Sequence, residues 1–175
     1  MGQGYSLSCK KCGYKISANL GVGFAFPRVY EAVMKEAQDG KLGETVQSFL
    51  KEHPDGALDC DQVLLQCDEC GALERGMDLS MYIPKDAVEP RQKGIWSTAF
   101  SGDGYSYVAP WDLKESYSLY ARYDHTCKKC KGKMKVIKQK DLELQESRSP
   151  DHITSNIPCP KCKTPLSFEE MIMWD

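Results

Sequence analysis

Residues 9–14 read Cys9-Lys10-Lys11-Cys12-Gly13-Tyr14, and the spacing of the two cysteines returns at Cys67-Asp68-Glu69-Cys70-Gly71, Cys127-Lys128-Lys129-Cys130 and Cys159-Pro160-Lys161-Cys162. Eight of the nine cysteines are used in this way, and only Cys60 stands outside. Two residues between thiols let one tight turn aim both sulfurs at an ion about 2.3 Å away, and two such turns complete a tetrahedral four-thiolate shell. The four pairs therefore make two metal sites. A disulfide framework fits poorly, because cysteine is about 5% of the chain, below the roughly 8–10% of small bridged scaffolds, and its count is odd. A thioredoxin-like redox pair shares the spacing but needs one pair at a helix start in a βαβ context, which none of the four has.

The flanks of the pairs read as turns between short strands. Gly13 and Gly71 follow their knuckles directly, where positive φ lets backbone N–H groups turn toward the sulfurs. Cys130 is followed by Lys131-Gly132, one step displaced, and Cys162 by Lys163-Thr164-Pro165, which departs from the pattern. Alternation at Tyr5, Leu7 and Cys9, at Tyr14, Ile16 and Ala18, and at Val63, Leu65 and Cys67 predicts hairpins.

On these four knuckles and their strands, about a third of the chain, the sequence resembles the zinc-ribbon and rubredoxin-like class. The resemblance implies an α+β, mostly β fold of two zinc-ribbon-like units of antiparallel hairpins. It implies metal ligation by Cys9, Cys12, Cys67, Cys70, Cys127, Cys130, Cys159 and Cys162. It says little about function, since this fold serves many unrelated tasks. Loop closure favours sequential pairing, Cys9/Cys12 with Cys67/Cys70 and Cys127/Cys130 with Cys159/Cys162, across 54 and 28 intervening residues. The nested alternative joins Cys9/Cys12 to Cys159/Cys162 and Cys67/Cys70 to Cys127/Cys130. In its favour, Cys9-x-x-Cys12-Gly13-Tyr14 and Cys159-Pro160-x-Cys162 are the two halves that rubredoxin shows.

Sequential pairing divides the chain into a first unit, 1–84, with a helical insertion at about 27–53, a linker at 85–94, and a second unit, 95–175. In the insertion, Pro27 suits a helix start, Val29, Val33 and Ala37 recur every four residues, and Gly40 stops the run. Val46, Phe49, Leu50 and His53 mark a second helix, ended by a turn at His53-Pro54-Asp55-Gly56. The two helices are expected to cover the first ribbon. Leu79, Met81 and Ile83 alternate as a strand that Pro84 ends. Gly21-Val22-Gly23 lacks the third glycine and Lys-Ser/Thr of a phosphate loop and reads as a connection.

The segment from Ile95 to Tyr123 carries Trp96, Phe100, Tyr105, Tyr107, Trp111, Tyr117, Tyr120 and Tyr123, with a hairpin turn expected at Gly102-Asp103-Gly104. These rings are expected to supply the core of a small β region; the sharper reading is a stacking platform for single-stranded nucleic acid. Lys128, Lys129, Lys131, Lys133, Lys135, Lys138 and Lys140 follow without an intervening acid. A four-thiolate site with a divalent ion carries a formal charge of about minus two, which such ammonium groups offset, as Lys10, Lys11, Lys161 and Lys163 do beside their knuckles. Ser167 and Glu170 have capping-box spacing, so Phe168 to Trp174 is expected to form a helical turn.

Composition sets outer bounds. The 175 residues are 41% apolar and 27% charged, with 23 Lys plus Arg against 25 Asp plus Glu, which fits a globular chain rather than a disordered or membrane-embedded one. The start lacks a basic stretch and an apolar run, so a cytoplasmic, reducing location is expected. Four cysteines per ion leave no open position for water or substrate, and no His-Glu-x-x-His, Gly-x-Ser-x-Gly or Walker motif is present. His53 ends a helix, His125 sits two before Cys127 and His152 lies in a polar stretch, so none is a preferred ligand. Asp59 and Asp61 beside Cys60 raise its thiol pKa, making it a packing cysteine. The expected protein is non-enzymatic, with two structural Zn2+ ions, acting as a binding or adaptor module on a protein partner, with no membrane partner. The alternatives are a rubredoxin-like carrier with iron at one site and a single-stranded nucleic-acid binder. Eight thiolates on two divalent ions would move the formal charge from −2 to about −6, which disfavours the last.

Overall fold

The computed structural model describes residues 2–85, 107–142, 144–146 and 153–174. In chain order the elements are β1 (Gly2–Ser8), β2 (Lys15–Leu20), α1 (Phe26–Gln38), α2 (Glu44–Glu52), β3 (Ala57–Leu58), β4 (Gln62–Cys67), β5 (Leu73–Met77), β6 (Met81–Pro84), α3 (Pro110–Ser116), β7 (Tyr117–Ala121), β8 (Met134–Ile137), β9 (Leu144–Glu146), β10 (Ile153–Pro158) and β11 (Pro165–Trp174). The described chain is mostly β with antiparallel sheets, as the alternation predicts. Among the described residues no helix is long and apolar enough to cross a membrane.

The chain groups into two units, both discontinuous: Met1–Gly23 with Gln62–Met77 and Asp124–Asp175, and Phe24–Asp61 with Asp78–Tyr123. This interleaving differs from the contiguous division at 1–84 and 95–175. Apart from Lys85, the 85–94 linker lies outside the described residues. So do Trp96, Phe100, Tyr105, His152 and the turn expected at Gly102-Asp103-Gly104.

The first unit holds all four knuckles. Its larger sheet has the order β2-β1-β11-β10-β9, and its smaller sheet the order β5-β4-β8. β4 is buried on both faces because successive side chains point opposite ways. Leu64 joins a cluster with Tyr5, Leu7, Leu20, Ile157 and Leu166 of the larger sheet, while Val63, Leu65 and Cys67 join Cys127 and Met134. At the start of β4, Gln62 and Gly21 exchange backbone hydrogen bonds of 2.9 and 3.0 Å, tying the end of β2 to the smaller sheet.

The tail is not helical. Residues 165–174 form β11, the partner of β1 from Gly2↔Trp174 to Ser8↔Ser167 and of β10 on its other side. The capping-box spacing of Ser167 and Glu170 is a local preference, and a seven-pair ladder with β1 overrides it.

The second unit contains the two helices, grouped with β3, β6, β7 and α3 instead of with a ribbon. Phe26, Tyr30, Val33, Met34 and Ala37 form the buried stripe of α1, and Val46, Phe49 and Leu50 that of α2. Gly56 N–H closes the turn after α2 on the His53 carbonyl at 2.9 Å. Aromatic side chains supply contacts here: Tyr107 meets Phe26 edge-on, Tyr120 lies against Phe49 and His53, and the Tyr123 hydroxyl donates to the Leu42 carbonyl at 3.1 Å.

Candidate metal centres

All four knuckles are built alike. In each, the amide of the residue four after the first cysteine donates to that cysteine's carbonyl: Gly13 to Cys9 at 2.9 Å, Gly71 to Cys67 at 3.0 Å, Lys131 to Cys127 at 2.9 Å and Lys163 to Cys159 at 2.9 Å. The first cysteine's amide in turn donates one residue further, to Tyr14, Ala72, Gly132 and Thr164, at 2.7–2.9 Å. This closure requires a left-handed residue, and φ is 70° at Gly13, 72° at Gly71, 66° at Lys131 and 64° at Lys163. The departures noted after Cys130 and Cys162 are therefore departures in residue type only. The non-glycine residues accept a cost of about 1–2 kcal/mol each, offset by the paired backbone bonds. At Gly132 a Cβ would lie 2.6 Å from Cδ of Glu69, so a larger residue there would have to displace the end of that side chain.

The knuckles pair in the nested order, which corrects the sequential expectation. Cys9, Cys12, Cys159 and Cys162 form one set and Cys67, Cys70, Cys127 and Cys130 the other, with the sulfurs of each set all within 4.8 Å of one another. Cross-knuckle Sγ–Sγ distances are 3.3 Å for Cys9–Cys162, 3.5 Å for Cys12–Cys159, 3.4 Å for Cys67–Cys130 and 3.7 Å for Cys70–Cys127. A disulfide needs about 2.05 Å, whereas a tetrahedron with 2.3 Å metal–sulfur bonds has edges of about 3.8 Å. The donor sets fit a tetrahedral ion, with edges slightly contracted. Closure entropy grows only with the logarithm of loop length, so nested pairing costs about 1.5 kcal/mol more than sequential pairing. The β1–β11 ladder and the core beneath it outweigh that difference.

Burial divides each knuckle in the same way. The first cysteines, Cys9, Cys67, Cys127 and Cys159, are buried, whereas Cys12 and Cys130 are exposed and Cys70 and Cys162 half-buried. Each centre thus sits at the rim of a core, Cys9 and Cys159 in the cluster with Leu7 and Leu166, Cys67 and Cys127 in that with Met134. The thiols of each set are electrostatically unequal. Hydrogen bonding to the Thr164 side chain, then to its backbone, pulls Cys162 down to about 6, and the Cys70 N–H, 3.5 Å from the Cys67 sulfur, leads the causes that pull Cys67 down to about 7. The Tyr14 backbone lowers Cys12, but desolvation and hydrogen bonds from Cys159, Cys9 and Cys162 outweigh it and push this thiol up to about 12. Cys130 is likewise lowered by the Gly132 backbone and carried up to about 12 by Cys67, desolvation, Cys70 and Cys127.

Carboxylates brace both centres. Glu169 accepts from Ser8 Oγ at 2.6 Å and pairs with Lys10 at 3.3 Å and Lys15 at 3.8 Å, which holds its pKa below the usual carboxylate range, the Ser8 bond first. Glu74 accepts the Lys128 backbone N–H at 3.0 Å and pairs with its Nζ at 3.7 Å. Neither residue carries a local sequence signal, since each acts on a knuckle more than 50 positions away.

The remaining candidates fall outside the two sets. His125 is buried, and its carbonyl accepts the Met134 N–H at 3.0 Å. Cys60 is buried, its thiol donates to the Leu58 carbonyl at 3.7 Å, and desolvation first, then Asp59, Asp61 and Asp78, push its pKa up. It is a packing cysteine of low reactivity. Lys128 and Lys133 of the basic run face Glu74 and Asp124, and Lys10 of the first knuckle faces Glu169, so acids from elsewhere in the chain offset part of this positive charge. No family model, no curated protein and no solved structure matches the chain.

Proposed function

We propose that the chain is a non-enzymatic zinc protein in which two four-cysteine centres hold the first unit together and the folded chain serves as a binding or adaptor module for a protein partner. The observation that carries the reading is the closure of each sulfur set: four thiols converge from two knuckles, and a tetrahedral ion held by them has no position left for water or substrate. The chemistry such an ion supplies is cross-linking. Each site contributes on the order of 10 kcal/mol of folding free energy, enough to bind ribbon segments far apart in sequence. Among the described residues no third group of His, Cys, Asp or Glu has ligating geometry.

A second reading has its own observation. Nested pairing brings Cys9-x-x-Cys12-Gly13-Tyr14 and Cys159-Pro160-x-Cys162, the two halves that resemble rubredoxin, to one centre. Iron there would make this centre an electron carrier. Elemental analysis of aerobically purified protein, with a visible spectrum, separates the two. Two zinc per chain in a colourless sample supports the first reading; iron with a red chromophore supports the second, and the absence of any bound metal sinks both. A pull-down with the zinc-loaded chain then tests for a protein partner.

A further inference from the structure

Glu169 and Glu74 occupy corresponding places in the two centres. Each lies on the strand that leaves one knuckle, Glu169 on β11 after Cys162 and Glu74 on β5 after Cys70. Each reaches the residue that follows the first cysteine of the opposite knuckle, Lys10 after Cys9 and Lys128 after Cys127. In the first centre the strand is adapted for this contact. The β1–β11 register runs Ser6↔Glu170 and then Leu7↔Phe168, so Glu169 is the bulged residue with no partner across the ladder. A bulge re-aims one side chain, and here it delivers a carboxylate to the hydroxyl of Ser8, itself 3% exposed and adjacent to Cys9. In the second centre Glu74 stays in register opposite Leu65 and takes the backbone N–H of Lys128, a contact that fixes the knuckle's main chain whatever its side chain does. The Glu74 side chain is the more shielded, 18% exposed, whereas Glu169 lies at the surface with its side chain 29% exposed.

We propose that Glu169 and Glu74 are positioning residues, one per centre, that latch the two knuckles of each nested pair and so set how tightly each centre holds its ion. The inference rests on the metal reading above. Bonds to an anionic acceptor from a hydroxyl and from a backbone amide are directional and charge-assisted, so they orient the knuckle where a surface ion pair alone would not. Groups of this kind, one step removed from the ligands, change metal affinity by about 10–100-fold when lost.

The test follows zinc release from the loaded full chain into excess chromophoric chelator, with the two release phases assigned by the Cys12→Ser variant, which lacks the first centre. Glu169→Ala should speed release from the first centre about tenfold or more and leave the second far less affected, and Glu74→Ala should do the reverse. Glu169→Gln, which keeps an acceptor for Ser8, should fall between wild type and Glu169→Ala, and Ser8→Ala should act on the first centre alone. In cobalt-loaded protein the d–d bands of the affected centre should shift, a signature that general loss of stability does not produce. Wild-type release rates in all four variants, or equal acceleration of both phases by each, would overturn the latch while leaving the metal reading intact. A wild-type chain that holds no metal in elemental analysis defeats the metal reading itself and the latch with it.

Discussion

The Nζ of Lys163 donates to the carbonyl oxygen of Cys70 at 3.4 Å. Lys163 is the left-handed residue that closes the Cys159–Cys162 knuckle, and Cys70 belongs to the other centre, so this side chain links the two centres. Pro160 stands beside the same contact, its Cα 4.0 Å from where a Cβ of Gly71 would lie. Ordering one knuckle therefore places a donor on the other. Metal titration followed by native mass spectrometry should show less half-loaded protein than two independent sites give. Replacing Lys163 with Ala should return the population toward the statistical value, a change of up to about fivefold for a contact worth about 1 kcal/mol. A half-loaded fraction already statistical in the wild type would sever this link.

The four left-handed positions make a matched set for stability. Gly13→Ala, at φ 70° with open space around the added Cβ, isolates the backbone cost and should lower the stability of loaded protein by about 1–2 kcal/mol. Lys131→Gly, at φ 66°, relieves the same cost and should leave stability unchanged or raised by up to about 1 kcal/mol. Denaturant unfolding of both variants checks the pair. Equal destabilisation by the two would show that φ does not govern these turns.

Pairing can be read from stoichiometry. In the nested arrangement Cys12→Ser and Cys162→Ser fall in one set, so the double variant should lose one ion and keep the other. Sequential pairing would place the two substitutions in different sets and remove both ions. Cys60→Ser, a change at a buried thiol outside either set, should leave the stoichiometry untouched.

Acid should strip the metal. The metal-free thiols of Cys12 and Cys130 are pushed up to about 12, so each centre keeps at least one proton at neutral pH that a bound ion must displace. The sign follows directly: the loaded state is deprotonated and the free state protonated, so binding is strongest at high pH and is lost as pH falls. Below about 6–7, where the acidic members Cys162 and Cys67 also take up protons, the loss steepens. Competition titrations with a chelator should give an affinity that falls at least about tenfold per pH unit per site. A flat profile between pH 5 and 8 would falsify the thiolate donor set.

Donor chemistry is legible in the sequence because it is local. The eight cysteines of the two sulfur sets follow from four short spacings, and α1 and α2 from Pro27, Gly40 and apolar periodicity; for Cys60 the flanking aspartates are legible, but the larger cause of its raised pKa, burial, is not. Long-range geometry is not. Nothing near Ser167 or Glu170 announces that residues 165–174 will leave a helical spacing to pair with β1, and no spacing rule identifies Glu169 or Glu74 as partners of a distant knuckle. Lys131 and Lys163 in left-handed backbone are hidden because that conformation is usually signalled by glycine.

The sequence by itself determined which donors are on offer: eight thiols in four like-spaced knuckles, enough for two sets of four, since residue type and local spacing are properties of six or seven consecutive residues. Only the tertiary structure decided who binds with whom. The two pairings differ by about 1.5 kcal/mol in closure entropy, too little to choose between them in the presence of a β-ladder, and a register set residue by residue between Gly2–Ser8 and Ser167–Trp174 brings the distant ends of the chain to one centre.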